Sequence, residues 1–267
     1  FLKVSGSSAS DGCACSDRPE GGLFERVAHF RTFRLPGGEA SIREPRRTAL
    51  GLLYELLGEN AFSIGDLASI RAFDSAETEV LKKMLKGGVN CPVTSSAGRL
   101  FDAVASLIDL RQKVAFEGQA AMMLEFALDG LETNERYKFG VIGDRESGAG
   151  TGVILDWGPV LMEILCDVAA AVPASHISAR FHNALVEAIV DVARRVGEPR
   201  VALSGGCFQN KYLTERVVTR LRQEGFNPYW HQSVPTNDGG IALGQVMGAV
   251  LHMRKEGQSC AWQFPGR

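Results

Sequence analysis

The chain has 267 residues, room for one large domain or two small ones with sizeable cores. Apolar residues make up 45% and charged residues 22%, an ordinary globular balance. A formal net charge of -2 excludes a general nucleic-acid-binding surface, and no apolar run is long enough to span a bilayer.

The opening residues do not read as a signal peptide. The first residue is Phe1, not Met, so the chain is expected to be processed, incomplete or a piece of something longer. Six cysteines, Cys13, Cys15, Cys91, Cys166, Cys207 and Cys260, form no Cys-x-x-Cys pair. They read as free thiols in a reducing cytosol, and a cytoplasmic location is expected. Cys207 follows a Gly pair but has no His near it in sequence, so it is not read as a nucleophile.

Residues 1–22 read as the tail of a strand followed by a flexible leader. From Phe24 to Leu35 a loose alternation predicts a strand, with Val27, His29, Arg31 and Phe33 on one side. Pro36-Gly37-Gly38 ends it. A helix carrying Leu50, Leu53, Leu56 and Leu57 follows the segment Ser41 to Arg47. Arg43 and Arg46 there read either as an anion site or as a solvated helix start. Residues 61–90 predict one or two short helices with Leu81, Met84 and Leu85 on the buried stripe.

Thr94, Ser95 and Ser96 supply N-cap oxygens for a helix whose Leu100, Val104 and Leu107 face the core. Asp102 lies on that helix, and its residue-level reading is a solvent-facing or locally paired carboxylate. Phe116-Glu117-Gly118-Gln119-Ala120 starts another helix; Met122, Met123 and Phe126 read as core, and Glu117 suits the helix dipole. Tyr137 to Ile142 and Thr151 to Leu155 predict paired strands around a polar loop, 143–150. Trp157-Gly158-Pro159 leads into a helix over Val160 to Val172. The clearest helix runs from Ser175 to Val196, with an apolar stripe of Ile177, Phe181, Leu185, Ile189, Val192 and Val196. His176 and His182 flank that stripe, too far apart for an adjacent-turn metal pair.

The stretch Arg200 to Gly248 organises the chain. Val201, Ala202 and Leu203 predict a strand buried on both faces. Ser204-Gly205-Gly206 turns the chain sharply. Leu213, Val217 and Leu221 mark a helix, and Pro228-Tyr229-Trp230-His231 a second strand. A second loop, Thr236-Asn237-Asp238-Gly239-Gly240, opens another helix. Two strand–loop–helix units in tandem place both glycine turns on one sheet edge, where α/β proteins hold ligands and helix N-termini attract anions. Tight packing alone also accounts for such glycines, and an N-cap role also accounts for Asp238. The fold class is α/β, with a helix-rich insert near 45–130. The main domain is expected over 23–256, followed by a tail at 257–267.

Several stretches together resemble one family. LSGGCFQN with TNDGGIALGQ, TSSAGRLFDAVASL, FEGQAAMMLE and FRLPGGEASIREPRR, specific together rather than singly, are similar to the C-terminal, Kae1-like part of the [NiFe]-hydrogenase maturation carbamoyltransferases, HypF. The likeness runs from about Phe24 to Met253. It implies the actin/Hsp70/sugar-kinase superfold (ASKHA), of which this chain would be one lobe with the first lobe largely missing. It implies formation of carbamoyl-adenylate from carbamoyl phosphate and ATP, then carbamoyl transfer to the C-terminal cysteine of a HypE-like partner. That group becomes the cyanide ligand of the hydrogenase iron.

Carried over by motif, the resemblance makes Gly205, Gly206 and Asn210 nucleotide contacts, Asp102 and Gly118 ribose contacts, and Asp238 a ligand of a divalent metal (Fe, Zn or Mg). No catalytic residue is singled out. The tRNA-modifying relatives have the Asp before the Asn, whereas here Asn237 precedes Asp238. The family's His-x-x-x-His pair is not found among His29, His176, His182, His231 and His252, so the metal site is expected to be incomplete in this chain. The alternatives are a nucleotide-binding or docking module without activity alone, and a tRNA threonylcarbamoyl or O-carbamoyltransferase relative. A carboxylate suits a ribose diol, and backbone N–H groups at glycine turns suit phosphate.

Overall fold

A computed structural model of the protein describes residues 1–4, 24–143 and 152–255. The expected leader, the polar loop and the tail lie largely outside them. In chain order the strands are β1 (Leu2–Val4), β2 (Phe24–Arg26), β3 (Ala28–Phe30), β4 (Phe33–Arg34), β5 (Val93–Thr94), β6 (Gly140–Ile142), β7 (Val153–Asp156), β8 (Arg200–Leu203) and β9 (Asn227–Trp230). The helices are α1 (Glu39–Arg43), α2 (Pro45–Leu57), α3 (Ala68–Arg71), α4 (Ser75–Gly87), α5 (Ala97–Leu107), α6 (Gln119–Phe126), α7 (Gly158–Ala169), α8 (Ala174–Val196), α9 (Lys211–Gln223) and α10 (Ile241–Lys255). The described strands form small sheets: β1 with β2, β3-β7-β6, β4 with β5, and β8 with β9. The pairs β3/β7 and β8/β9 are parallel.

The core sits among the helices. Leu50 and Leu53 of α2, Phe101 and Leu107 of α5, and Ile177 and Phe181 of α8 are all buried. Each such side chain taken from water contributes about 1.5–3 kcal/mol. Local signals fix the ends. Ser96 Oγ accepts the Arg99 N–H at the start of α5. Asp74 and Glu77 form a reciprocal capping box on α4. Of the predicted α8 stripe, Ile177, Phe181, Leu185 and Val192 are buried, and Ile189 and Val196 partly so.

Four readings are corrected. The strand predicted over Phe24 to Leu35 is broken into β2, β3 and β4, and its buried side chains are Ala28, Phe30, Phe33 and Leu35. The break at Arg31 and Thr32 shifts the buried parity from even to odd positions, so Phe33 faces inward while Val27, His29 and Arg31 are only partly covered.

Arg46 is neither an anion site nor a solvated helix start. It is buried, pairs with Glu44 at 2.6 Å and Glu77 at 2.7 Å, and stacks on the Phe73 ring. Met122 and Phe126 are exposed, because Ala120 and Leu124 form the inward face of α6. Strand β8 is not covered on both faces: Arg200 and Ala202 are exposed, since β8 has one strand neighbour and no second layer among the described residues. The same bareness marks α10, whose residues 241–250 are all exposed.

Candidate functional site

Strands β8 and β9 run in parallel and in register, Leu203 opposite Trp230, so both chains leave the sheet at the same edge. After β8 the backbone turns at Gly205, whose φ of +103° lies where side-chain-bearing residues are strained. A short helical turn, Gly206–Gln209, then leads into α9. After β9 the chain runs through Thr236 to a second turn, Asp238–Gly240, and into α10. The Gly205 N–H donates to the Thr236 carbonyl at 2.9 Å and ties the two corners together. Ser204 Oγ and His231 Nε2 meet at 3.0 Å beside them.

Between the corners lies an open cavity of about 500 Å³. Gly205, Gly206, Thr236, Asn237 and Asp238 line it, and Met247 of α10 contributes to its wall. No atom lies within 4 Å of where a Gly206 side chain would begin, so that backbone is open to approach. Thr236 Oγ1 is buried with no hydrogen-bond partner, a polar atom left without an internal explanation. The α10 N-terminus abuts this space through Ile241, Leu243 and Gly244, and the positive end of its helix dipole suits an anion. Asn237, not Asp238, is the N-cap: its Oδ1 accepts the Gly239 N–H at 3.1 Å. That corrects the N-cap alternative for Asp238, whose exposed carboxylate has no ion pair or hydrogen bond among the described residues.

The other expected site residues stand behind the first corner. Asp102 is buried on α5, with Oδ2 2.8 Å from Arg99 Nη1. That contact is close but badly angled, so neither atom has a hydrogen-bond partner. Arg99 Nη2 donates instead to Glu117 Oε1 at 3.0 Å. Burial pushes the Asp102 carboxyl up to about 7; the Arg99 charge opposes this and Glu117 adds to it. Cys207 feels the Asp102 charge as well, and its thiol, chiefly through burial, is pushed up to about 11. A thiol so shifted stays protonated at neutral pH, in keeping with its not being read as a nucleophile.

Gly118 caps α6 at a φ of +85°, half-buried but with open space where a side chain would begin, next to Glu117. Asn210 is buried at the start of α9, where its Oδ1 accepts the Leu213 N–H at 2.8 Å. The structure therefore gathers Gly205, Gly206 and Asp238 in one cavity, and Asp102 and the Gly118 turn around Arg99. Asp102, Gly118 and Asn210 do not line the cavity.

Sequence reasoning missed Thr236, His231, Arg99 and His182. Arg99 had a usable signal, since a residue three before Asp102 shares its helix face. A metal does not fit the donors present: among the described residues no group of three or more His, Cys, Asp or Glu is placed to hold an ion.

Comparison with known proteins matches the chain to a family. The family model "Carbamoyltransferase, Kae1-like Domain, second subdomain" matches residues 19–245. Carbamoyltransferase HypF of Synechocystis is 35% identical over 241 residues, which is 86% of this chain and 30% of that protein. Carbamoyltransferase HypF2 of Cupriavidus necator is 34% identical over 86% of this chain and 30% of its own length. A crystal structure of full-length HypF in a phosphate- and nucleotide-bound form superposes with a TM-score of 0.77 at 36% identity, over 90% of this chain and 30% of that one. HypF of T. kodakarensis, at 24% identity, has a TM-score of 0.71 over 87% of this chain and 30% of its own, and shares the fold. The chain spans about 30% of the length of these relatives. With the motif order, the parallel β8/β9 pair and this match over most of its length, the chain belongs to the HypF carbamoyltransferase family, in the second subdomain of the Kae1-like domain.

Proposed function

We propose that this chain is the nucleotide-gripping part of a HypF-type carbamoyltransferase in hydrogenase maturation. The observation that carries the reading is the open cavity shared by the Ser204–Gly206 and Thr236–Gly240 corners at one edge of the β8/β9 sheet. The Gly206 backbone N–H and the α10 start face the phosphates of ATP or carbamoyl-adenylate, while the Gly205 N–H holds the second corner through Thr236. Asp102 and the Gly118 turn hold the ribose side, with Arg99 between them, and Asn210 braces the corner. Asp238 offers a single carboxylate toward a cation.

The substrates of the reading are carbamoyl phosphate and ATP, and the acceptor is the C-terminal cysteine of a HypE-like protein. The chemistry this part supplies is electrostatic. Phosphate charge is held by pre-aimed N–H groups in a site partly shielded from water. A relative solved with phosphate and nucleotide bound supports it.

A second reading, a nucleotide-binding module with no activity alone, is favoured by the bare α10 face. Calorimetric titration with ATP, followed by an assay for AMP release with carbamoyl phosphate, tests both. Binding by this chain, with AMP release from the full-length protein lost in Gly206→Val, supports the first reading; binding with that AMP release kept supports the second, and no binding contradicts both.

A further inference from the structure

His182 lies on α8 and is completely buried, yet no part of the proposed reaction uses it. Its ring is wedged edge-on between Phe101 of α5 and Tyr212 of α9, at centroid distances of 5.3 and 5.5 Å. Its Nδ1 is 2.7 Å from the Ser178 carbonyl, an acceptor only, so Nδ1 carries the proton. Nε2 is then an acceptor, and Asn210 Nδ2 donates to it at 2.9 Å. Asn210 Oδ1 in turn accepts the Leu213 N–H.

These bonds lock one another. A protonated Nε2 would face an N–H of Asn210. Turning the amide over would remove the cap from α9. Ser178 is itself pinned, its Oγ donating to the Leu124 carbonyl of α6 at 2.5 Å. A relay of side chains thus runs from α6 through α8 to Asn210, the residue that ends the Gly206–Gln209 turn. Gly205 at the other end is held by Thr236.

We propose that His182 is a positioning residue: its neutral ring fixes the Asn210 amide and thereby the backbone of the Gly205–Gln209 corner that opens on the cavity. Its effect on nucleotide affinity rests on the proposed ATP reading; its effect on the corner does not.

Two variants of the whole chain test this. His182→Phe keeps the aromatic packing and deletes both hydrogen bonds. His182→Gln puts an amide oxygen near the place of Nε2 and keeps an acceptor for Asn210. Two things are measured: amide hydrogen exchange of residues 205–209 by NMR, and ATP affinity by calorimetry. For His182→Phe, exchange in the corner rises by about tenfold or more while mid-α8 amides keep their protection, and ATP affinity falls by about tenfold. For His182→Gln both return to within about threefold of the parent. Unchanged corner exchange in His182→Phe overturns the proposal, as does His182→Gln behaving like His182→Phe. A parent chain that does not bind ATP, with corner exchange still following the variants, removes the nucleotide reading and leaves His182 in its positioning role.

Discussion

The Gly205 N–H and the Thr236 carbonyl, 2.9 Å apart, are the stitch between the two loops of the cavity. Gly205 reaches that carbonyl only at a φ of +103°. Gly205→Ala is therefore expected to cost about 1–3 kcal/mol in stability and to loosen the second loop. Gly206, one residue on, has ordinary φ and open space around it. Gly206→Ala is expected to leave the melting midpoint unchanged. Chemical denaturation of the pair checks the contrast; equal losses would mean the turn is not strained where the backbone says it is.

The pH profile carries a cancellation. The folded carboxyl of Asp102 is raised to about 7 by burial, from 3.8. The folded state therefore holds a proton that the unfolded state has lost, and stability falls as pH rises through that window. His182 is the reverse: burial lowers it from 6.5 to about 4, so the unfolded state holds the extra proton and stability falls as pH drops through that window. Between about pH 5 and 6.5 the two slopes oppose each other, each at most about 1.4 kcal/mol per pH unit. Urea denaturation is expected to give a nearly flat profile there for the parent chain and a rising one for Asp102→Asn. A flat profile in the variant contradicts the assignment.

Arg46 should matter to the helical insert out of proportion to its surface. Its guanidinium bridges Glu44 and Glu77 and stacks at 4.4 Å on Phe73. Arg46→Ala leaves both carboxylates without their cation and is expected to destabilise by about 3 kcal/mol. Thermal melts of this variant and of Glu77→Gln, the milder change, give the measurement.

Helix α10 makes the opposite prediction. Leu243 is 51% and Val246 59% exposed. Replacing either with Glu removes little burial within the chain, so stability should stay within about 0.5 kcal/mol while binding of a hydrophobic dye and self-association decline. A large loss of stability would show that α10 packs on something in this chain.

Helix positions were legible because their signals are local: the Ser96 cap, the spacing of Leu213, Val217 and Leu221, and the long α8 stripe. The face of the strand leading to Leu35 was not, because a two-residue break cannot be seen in an alternation. The burial of β8 was misread because a continuous apolar run reports what a strand could pack against, not whether that layer is among the described residues. Within the site, the glycine turns were readable from their motifs; Asn210, carried over by resemblance as a nucleotide contact, is a buried cap of α9 that does not line the cavity. Arg46, Arg99 and His182 were not readable, since whether a charged or titratable side chain is buried depends on partners distant in sequence: Glu77, Glu117 and Ser178 O with Asn210, respectively.

Calorimetric titration of ATP into the parent chain and into Gly206→Val is the direct test of the central claim. Gly206 lines the cavity, and a valine there meets no other atom within 4 Å at its first carbon. Micromolar binding to the parent, lost by at least about tenfold in a variant that melts at the same temperature, is the predicted result. Equal affinity in the two, or no heat from either, contradicts a nucleotide held between these corners.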